Sequence, residues 1–268
     1  MSRKIQIELI FVALLVLLST IYWIHHKSNQ IHDLPSILKS GRLSVLTDSS
    51  SIGFSVKGDS VSGFQYEIVK AFADSLGLEL VISEKNDMKA CMDGLNSGDC
   101  DIIANFIPIT TEWKKKALFT IPFFTTREVL VQRIENKSSR NKIIKKHEEL
   151  ANDTIYIPVN SPFKMRLNHL SNEIANPIHI IEVTNKSSEQ MVRMVSCGEI
   201  RLTICDEQFA QRLKIKYPNI DVTFPVSFEQ QKAWAVHLKS PKLLAKLNEF
   251  LDDFIGSSAY WRIYRKYY

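Results

Sequence analysis

Two stretches of the chain, Leu95-Asn96-Ser97-Gly98-Asp99-Cys100-Asp101-Ile102-Ile103 and Val195-Ser196-Cys197-Gly198-Glu199-Ile200-Arg201-Leu202-Thr203, run in the same order: the end of an apolar helix, a glycine, an acidic residue, then an apolar strand. Few residues are identical between them, but each element falls at the same place. The repetition predicts two similar α/β lobes rather than one large sheet. A length of 268 residues leaves room for this, since roughly 150 residues suffice for a unit that buries its own core.

The flanking sequence extends the pattern. After a polar linker at 27–33, Arg42-Leu43-Ser44-Val45-Leu46-Thr47 reads as a buried strand that ends in the turn-forming run Asp48-Ser49-Ser50-Ser51. Gly63-Phe64 opens a helix with Ile68, Val69, Phe72, Ala73 and Leu76 at helical spacing and Gly77 as its stop. A strand at 78–82, a helix capped by Asp87 and ended by Gly98, and a strand at 101–104 complete a parallel-sheet pattern. The second half repeats it: a strand at 154–159, a helix opened by Ser161-Pro162 with Pro at its first position, a strand at 179–183, a capping box from Ser187 to Gln190, and a strand at 202–205. Glu128-Val129-Leu130-Val131-Gln132 and Lys232-Ala233-Trp234-Ala235-Val236-His237 alternate like strands and predict two extended crossings between the lobes, a two-strand hinge. Ser240-Pro241 then caps a helix through Leu243, Leu247, Leu251 and Phe254 that packs back on the first lobe. The expected division is a segment at 1–27, lobe 1 at 35–130, lobe 2 at 131–227, and a return to lobe 1 at 228–268.

Segment 1–27 stands apart. Arg3 and Lys4 precede an apolar run at 5–24 whose one charge is Glu8, and about 20 such residues cross a bilayer as a helix. The run ends in Tyr22-Trp23, aromatics suited to a membrane interface, rather than in the small residues of a cleavage site. It reads as an uncleaved inner-membrane anchor, with a cleaved signal segment as the alternative. Either one exports the rest of the chain to the periplasm. That remainder has ordinary globular composition: over the whole chain 45% of residues are hydrophobic and 24% charged, which excludes disorder, collagen and a polytopic membrane protein. The net charge of +5 comes from dispersed basic residues, and the runs at 114–116 and 142–146 lack interleaved aromatics, so nucleic acid is not an expected partner. The 7 histidines show no metal-ligand spacing, and no cofactor or metal is expected. The 4 cysteines, Cys91, Cys100, Cys197 and Cys205, allow one disulfide or buried free thiols.

Gly63-Phe64-Gln65-Tyr66-Glu67, Phe72-Ala73-Asp74, Leu76-Gly77, Gly98-Asp99, Thr110-Thr111-Glu112, Phe119-Thr120-Ile121-Pro122-Phe123 and Lys266-Tyr267-Tyr268 resemble the bacterial extracellular solute-binding proteins of family 3. Phe64-Gln65-Tyr66-Glu67 with Phe72-Ala73-Asp74 looks closest to the non-catalytic N-terminal domain of the membrane-bound lytic transglycosylases F. The resemblance covers about 35–268. It implies an α/β, two-lobed periplasmic-binding-protein fold of type II that closes on a small-molecule ligand, with an ABC permease or a cell-wall enzyme as partner. It does not imply transglycosylase activity, whose domain would follow position 268.

Ligands of open α/β sheets sit beyond the carboxyl ends of the strands, here the interlobe cleft. By resemblance Asp48 contacts the ligand's polar end, with a turn-capping role as the alternative, and Phe54 packs on the ligand. Thr110 and Thr111 open a short helix whose hydroxyl and free N–H groups favour an anion. Where the family has an Arg that grips the ligand's α-carboxylate, this chain has Trp113, and Pro108 replaces a ligand-binding Ser. Ser161 offers a second hydroxyl. Asp206 matches the acid that accepts the ligand's ammonium, and Glu207 is either a second acid or a helix-starting residue. The expected ligand is a small polar amine-bearing molecule (amino acid, peptide or cell-wall fragment), and with the acid kept and the Arg lost the preference is for one lacking a free α-carboxylate, such as a peptide or cell-wall fragment. Two other readings are a dehydratase using Asp206 or Glu207 as acid, as in a few relatives on this fold, and an interaction module with a vestigial cleft.

Overall fold

Asp33 begins the ordered architecture of the first lobe. In the computed structural model, which describes residues 31–134 and 143–268 with Ala13, Leu15 and Val16, the Asp33 carboxylate accepts the Leu34 N–H (2.8 Å) and caps α1 (Leu34–Ser40). The expected anchor at 1–27 lies outside the described residues apart from those three positions. Among the described residues no helix is long and apolar enough to cross a membrane.

The first lobe continues through β1 (Arg42–Thr47), the hairpin β2 (Ser55–Lys57) and β3 (Ser60–Ser62), α2 (Phe64–Ser75), β4 (Glu79–Glu84), α3 (Met88–Ser97) and β5 (Ile102–Pro108). β1 pairs in parallel with both β4 and β5. Helix α2 forms because Phe64, Ile68, Val69 and Phe72 share one stripe, and all four are fully buried. α3 starts where the Asp87 carboxylate accepts the N–H groups of Lys89 (2.8 Å) and Ala90 (3.1 Å). The single-turn α4 (Thr111–Lys114) and the short strands β6 (Leu118–Phe119) and β7 (Phe124–Thr126) follow.

At Arg127 the chain crosses to the second lobe: β8 (Glu128–Arg133), β9 (Thr154–Pro158), α5 (Phe163–Glu173), β10 (His179–Val183), α6 (Ser188–Cys197), β11 (Leu202–Asp206), α7 (Glu207–Lys216) and β12 (Ile220–Pro225). The sheet order is β10-β9-β11-β8-β12, parallel through β9 and antiparallel at β8. The crossing precedes the 130/131 boundary expected from the sequence. The reason is that β8 is an inner strand of the second sheet, flanked by β11 and β12, and is buried along its length rather than on alternate residues. Residues 226–229 return the chain to β13 (Gln230–Val236), which runs antiparallel to β5, β6 and β7 and completes the first sheet in the order β4-β1-β5-β13-β6. The two predicted hinge strands are therefore sheet members, and the crossings are the short links beside them.

α8 (Pro241–Phe254) packs on α1 and β6, and α9 (Ser258–Tyr267), which periodicity left unassigned, packs on α2. The Tyr267 hydroxyl accepts the Gly63 N–H (2.7 Å) and bonds Glu67, which pins α9 to the start of α2.

The repeat that organises the sequence is visible in the backbone. Gly98 and Gly198 adopt φ 80° and φ 79°, and the residue after each donates back to the helix, Asp99 to the Gly94 carbonyl (2.8 Å) and Glu199 to that of Met194 (2.9 Å). Both helices thus end in the same left-handed cap. Two expected caps differ. Helix α5 starts one residue later than Pro162, with Phe163 N–H donating to Ser161 Oγ (3.2 Å). At α8 the Ser240 hydroxyl donates to the His32 carbonyl (2.7 Å), and Asp33 takes the Leu243 N–H (2.8 Å) instead. All four cysteines are free thiols, and only Cys197 is exposed.

Candidate functional site

The carboxyl ends of β1, β5, β9 and β11 face one another across a cavity of about 150 Å³ between the lobes. That is nearer to a single metabolite than to the roughly 300–1,000 Å³ of drug-sized sites. Of the residues singled out from the sequence, Asp48, Ser161 and Asp206 line it, as does Pro108.

Asp48 is set by the turn after β1. Its N–H donates to Asn105 Oδ1 (2.9 Å), and its carbonyl accepts from Ser50 N (3.1 Å) and Phe54 N (3.0 Å). Gly53 packs so closely on this turn that an added Cβ would lie 2.4 Å from Asp48 Oδ1, so no larger residue fits at 53 without moving the carboxylate. Burial pushes the Asp48 carboxyl above its ordinary value, opposed by a hydrogen bond from Ser50. Asp206 ends β11 and caps α7, accepting the Phe209 N–H (3.2 Å). Burial raises it to about 6, although the Phe209 N–H and the Lys232 charge pull the other way.

The remaining expected residues lie elsewhere. Phe54 packs edge-on against Tyr66, 5.4 Å between centroids. Thr110 Oγ1 accepts the Trp113 N–H (3.2 Å) as an ordinary cap and borders a depression that adjoins the cleft through Pro108, Glu128 and Pro162, and Thr111 is exposed. Trp113 lies half-buried against the cluster of Met88, Ile107 and Ala117, with Lys116 Nζ 5.1 Å from its ring. The Glu207 carboxylate is taken by Arg127 at the first crossing, through Nε–Oε2 (2.8 Å) and Nη2–Oε1 (2.7 Å). It ties α7 to the hinge and is not a second cleft acid.

The cleft instead contains residues that the sequence reading missed. Phe106, Phe163, Phe209 and Tyr268 supply aromatic walls, and Glu128 and Lys232 supply charge. Glu128 opens β8 in one lobe and Lys232 lies in β13 of the other. Their Oε1–Nζ distance is 3.4 Å, and their side chains are 2% and 5% exposed. Lys232 Nζ also donates to Gln230 Oε1 (3.2 Å). A cation thus reaches the cleft from β13 rather than from α4, where the family pattern has Arg. The one available signal was a charge at the edge of an apolar strand, Glu128 before Val-Leu-Val and Lys232 before Ala-Trp-Ala-Val. The lining carries three acids, Asp48, Glu128 and Asp206, against the single base Lys232. Such a cavity favours a cation. Among the described residues no group of His, Cys, Asp and Glu could hold a metal.

Further contacts between the lobes lie beside the cleft. Glu189 Oε2, at the start of α6, accepts from Ser51 N (3.0 Å) and Oγ (2.9 Å). Asn160 Nδ2 donates to both carboxylate oxygens of Asp87 (3.0 Å each).

The model of the bacterial extracellular solute-binding proteins, family 3, matches residues 43–268. The membrane-bound lytic murein transglycosylase F of Desulfosudis oleivorans is 26% identical over 99% of this chain, which spans 56% of that enzyme. The chain covers about half the length of such relatives. Two solved structures share the fold: the solute receptor for L-cysteine of Neisseria gonorrhoeae (TM-score 0.75, 16% identity, 88% of this chain and 93% of that one), and an ancestral arginine-binding protein bound to arginine (TM-score 0.72, 21% identity, 85% and 98%).

Proposed function

The chain belongs to the bacterial extracellular solute-binding proteins, family 3, and from that premise we propose that its cleft closes on a small polar ligand bearing an amine: an amino acid, peptide or cell-wall fragment. It is a binding protein and not an enzyme. The observation that carries the ligand class is the surplus of acids, Asp48, Glu128 and Asp206 against Lys232, in a cavity walled by aromatic rings. An ammonium group gains from both, through charge pairing and through the ring faces. The cleft's own cation, Lys232, sits in an ion pair with Glu128, so a ligand carboxylate would have to compete for it. An amine without a free α-carboxylate avoids that competition. The apolar run at 5–24 supports a single-pass anchor in the inner membrane with the cleft in the periplasm, where closure would hand the solute to a permease or signal to a cell-wall enzyme. Thermal-shift titration of the full chain in detergent with alaninamide, alanyl-alanine, muropeptides and controls acetylated on every amine tests the ligand class. Amine-bearing compounds should raise the melting temperature and their N-acetylated counterparts should not. Equal stabilisation by both would overturn it.

A further inference from the structure

Three buried side-chain atoms among the described residues have no hydrogen-bond partner: Gln65 Nε2, Glu128 Oε2 and Tyr268 Oη. Burying such an atom costs free energy unless something pairs with it, so each calls for an explanation. Two of the three belong to residues lining the interlobe cleft, and they come from different lobes. Glu128 Oε2 is the free half of a carboxylate whose other oxygen faces Lys232. Its backbone is clamped to the second crossing, with its N–H donating to Ser227 Oγ (2.8 Å) and its carbonyl accepting from Val226 N (2.9 Å). The side chain is therefore held in place before any ligand arrives. Tyr268 is placed by its ring, which stacks on Tyr264 (5.1 Å) and meets Phe64 (5.2 Å) and Phe124 (5.2 Å). Its hydroxyl lies within electrostatic reach of Asp206 and Asp48.

We propose that Glu128 and Tyr268 are specificity-determining ligand contacts, which select amines carrying a second N–H donor over simple amines. The inference rests on the cleft reading above and names what the ligand must present beyond its ammonium group. An ionised carboxylate oxygen only accepts, so Glu128 Oε2 requires an N–H or O–H of the ligand. Lys232 Nζ only donates, and it stands beside Glu128, so a neighbouring acceptor on the ligand is matched as well. A carboxamide or peptide group presents both, with its N–H toward Glu128 and its carbonyl toward Lys232. Tyr268 Oη can donate or accept and completes the set next to the ammonium held by Asp206. A site built on such atoms discriminates strongly against an analogue that leaves them unpaired.

The test compares L-argininamide with n-butylamine by isothermal titration of the full chain in detergent. The wild type should bind argininamide at least about tenfold more tightly, and Glu128→Gln should remove most of that preference. Because Glu128→Gln leaves Lys232 buried without its partner, Glu128→Gln/Lys232→Gln serves as a charge-balanced second variant. Tyr268→Phe, which removes one oxygen and keeps the ring packing, should weaken argininamide about fivefold or more. If both probes bind the wild type equally, or the preference survives in Glu128→Gln and in Tyr268→Phe, the specificity assignment is overturned while the cleft reading stands. If neither probe binds the wild type, the cleft reading falls and the assignment with it.

Discussion

Ser51 and Glu189 meet across the mouth of the cleft, the Ser51 N–H and hydroxyl both donating to Glu189 Oε2 at 3.0 and 2.9 Å. Each stands beside residues that line the cavity, Ser50 and Ile52 on one side and Ser188 on the other. Lys216 Nζ reaches the second oxygen, Oε1, at 3.3 Å.

Burial alone would raise the Glu189 carboxyl, but the Ser51 hydrogen bonds and Lys216 hold it below its ordinary value of 4.5. A depressed carboxyl contributes stability above its unfolded pKa and loses it as pH falls through the folded one. Denaturant titrations at pH 7 and below pH 4.5 should therefore show that Glu189→Gln is less stable than wild type at pH 7 and that the gap narrows in acid. The interlobe clasp is wrongly assigned if the gap is unchanged.

Asp206 has the opposite sign. With the carboxyl raised from 3.8 to about 6, the folded state holds a proton that the unfolded state has released, so stability falls as pH rises between those values. Asp206→Asn should be more stable than wild type at pH 7, by on the order of 2 kcal/mol, yet should lose amine binding. In the wild type, amine affinity should drop as pH falls below 6. A pH-independent affinity between 5 and 7.5 would remove Asp206 from the ammonium site.

Trp234 Nε1 donates to Gln65 Oε1 at 2.6 Å, and both residues are buried, 0% and 1% exposed. Gln65→Ala strands the indole N–H and opens a void beside α2, for an expected loss of ~2–4 kcal/mol in urea denaturation. Gln65→Glu, which keeps an acceptor, should cost less near its pKa than at pH 8.

Phe54 and Trp113 stand outside the cleft lining, against Tyr66 and the Ile107 cluster. Phe54→Leu and Trp113→Ala should therefore leave affinity for an amine probe within about twofold of wild type. Phe106→Ala and Phe209→Ala, which remove cleft walls, should weaken it about tenfold or more. A large loss in Trp113→Ala would restore α4 to the site.

What was legible from residue order had local causes. The caps at Asp87, Gly98, Ser187 and Gly198 depend on neighbours within one turn, and the stripe Phe64-Ile68-Val69-Phe72 depends on helical spacing alone. Asp48 and Asp206 stand out through the family resemblance together with their places after β1 and at the end of β11, and with Ser161 they line the cavity. The cap of α8 was misread because its acceptor, Asp33, lies 210 positions from Leu243, and Ser240 offered a plausible local substitute.

The two-lobed plan and the exposed and buried faces thus follow from the chain read residue by residue, because short-range hydrogen bonding and hydrophobic period decide them, whereas the acids at the strand ends are marked by the family resemblance. Which side chains share the cavity was decided in three dimensions. Glu128 and Lys232 pair across 104 positions only because β8 and β13 become inner strands of different sheets that meet at the hinge. Tyr268 enters the cleft only because α9 is pinned to Gly63 and Glu67. Contacts of that separation carry no local period, so burial and charge in the assembled lobes, not spacing along the chain, determine the chemistry of the site.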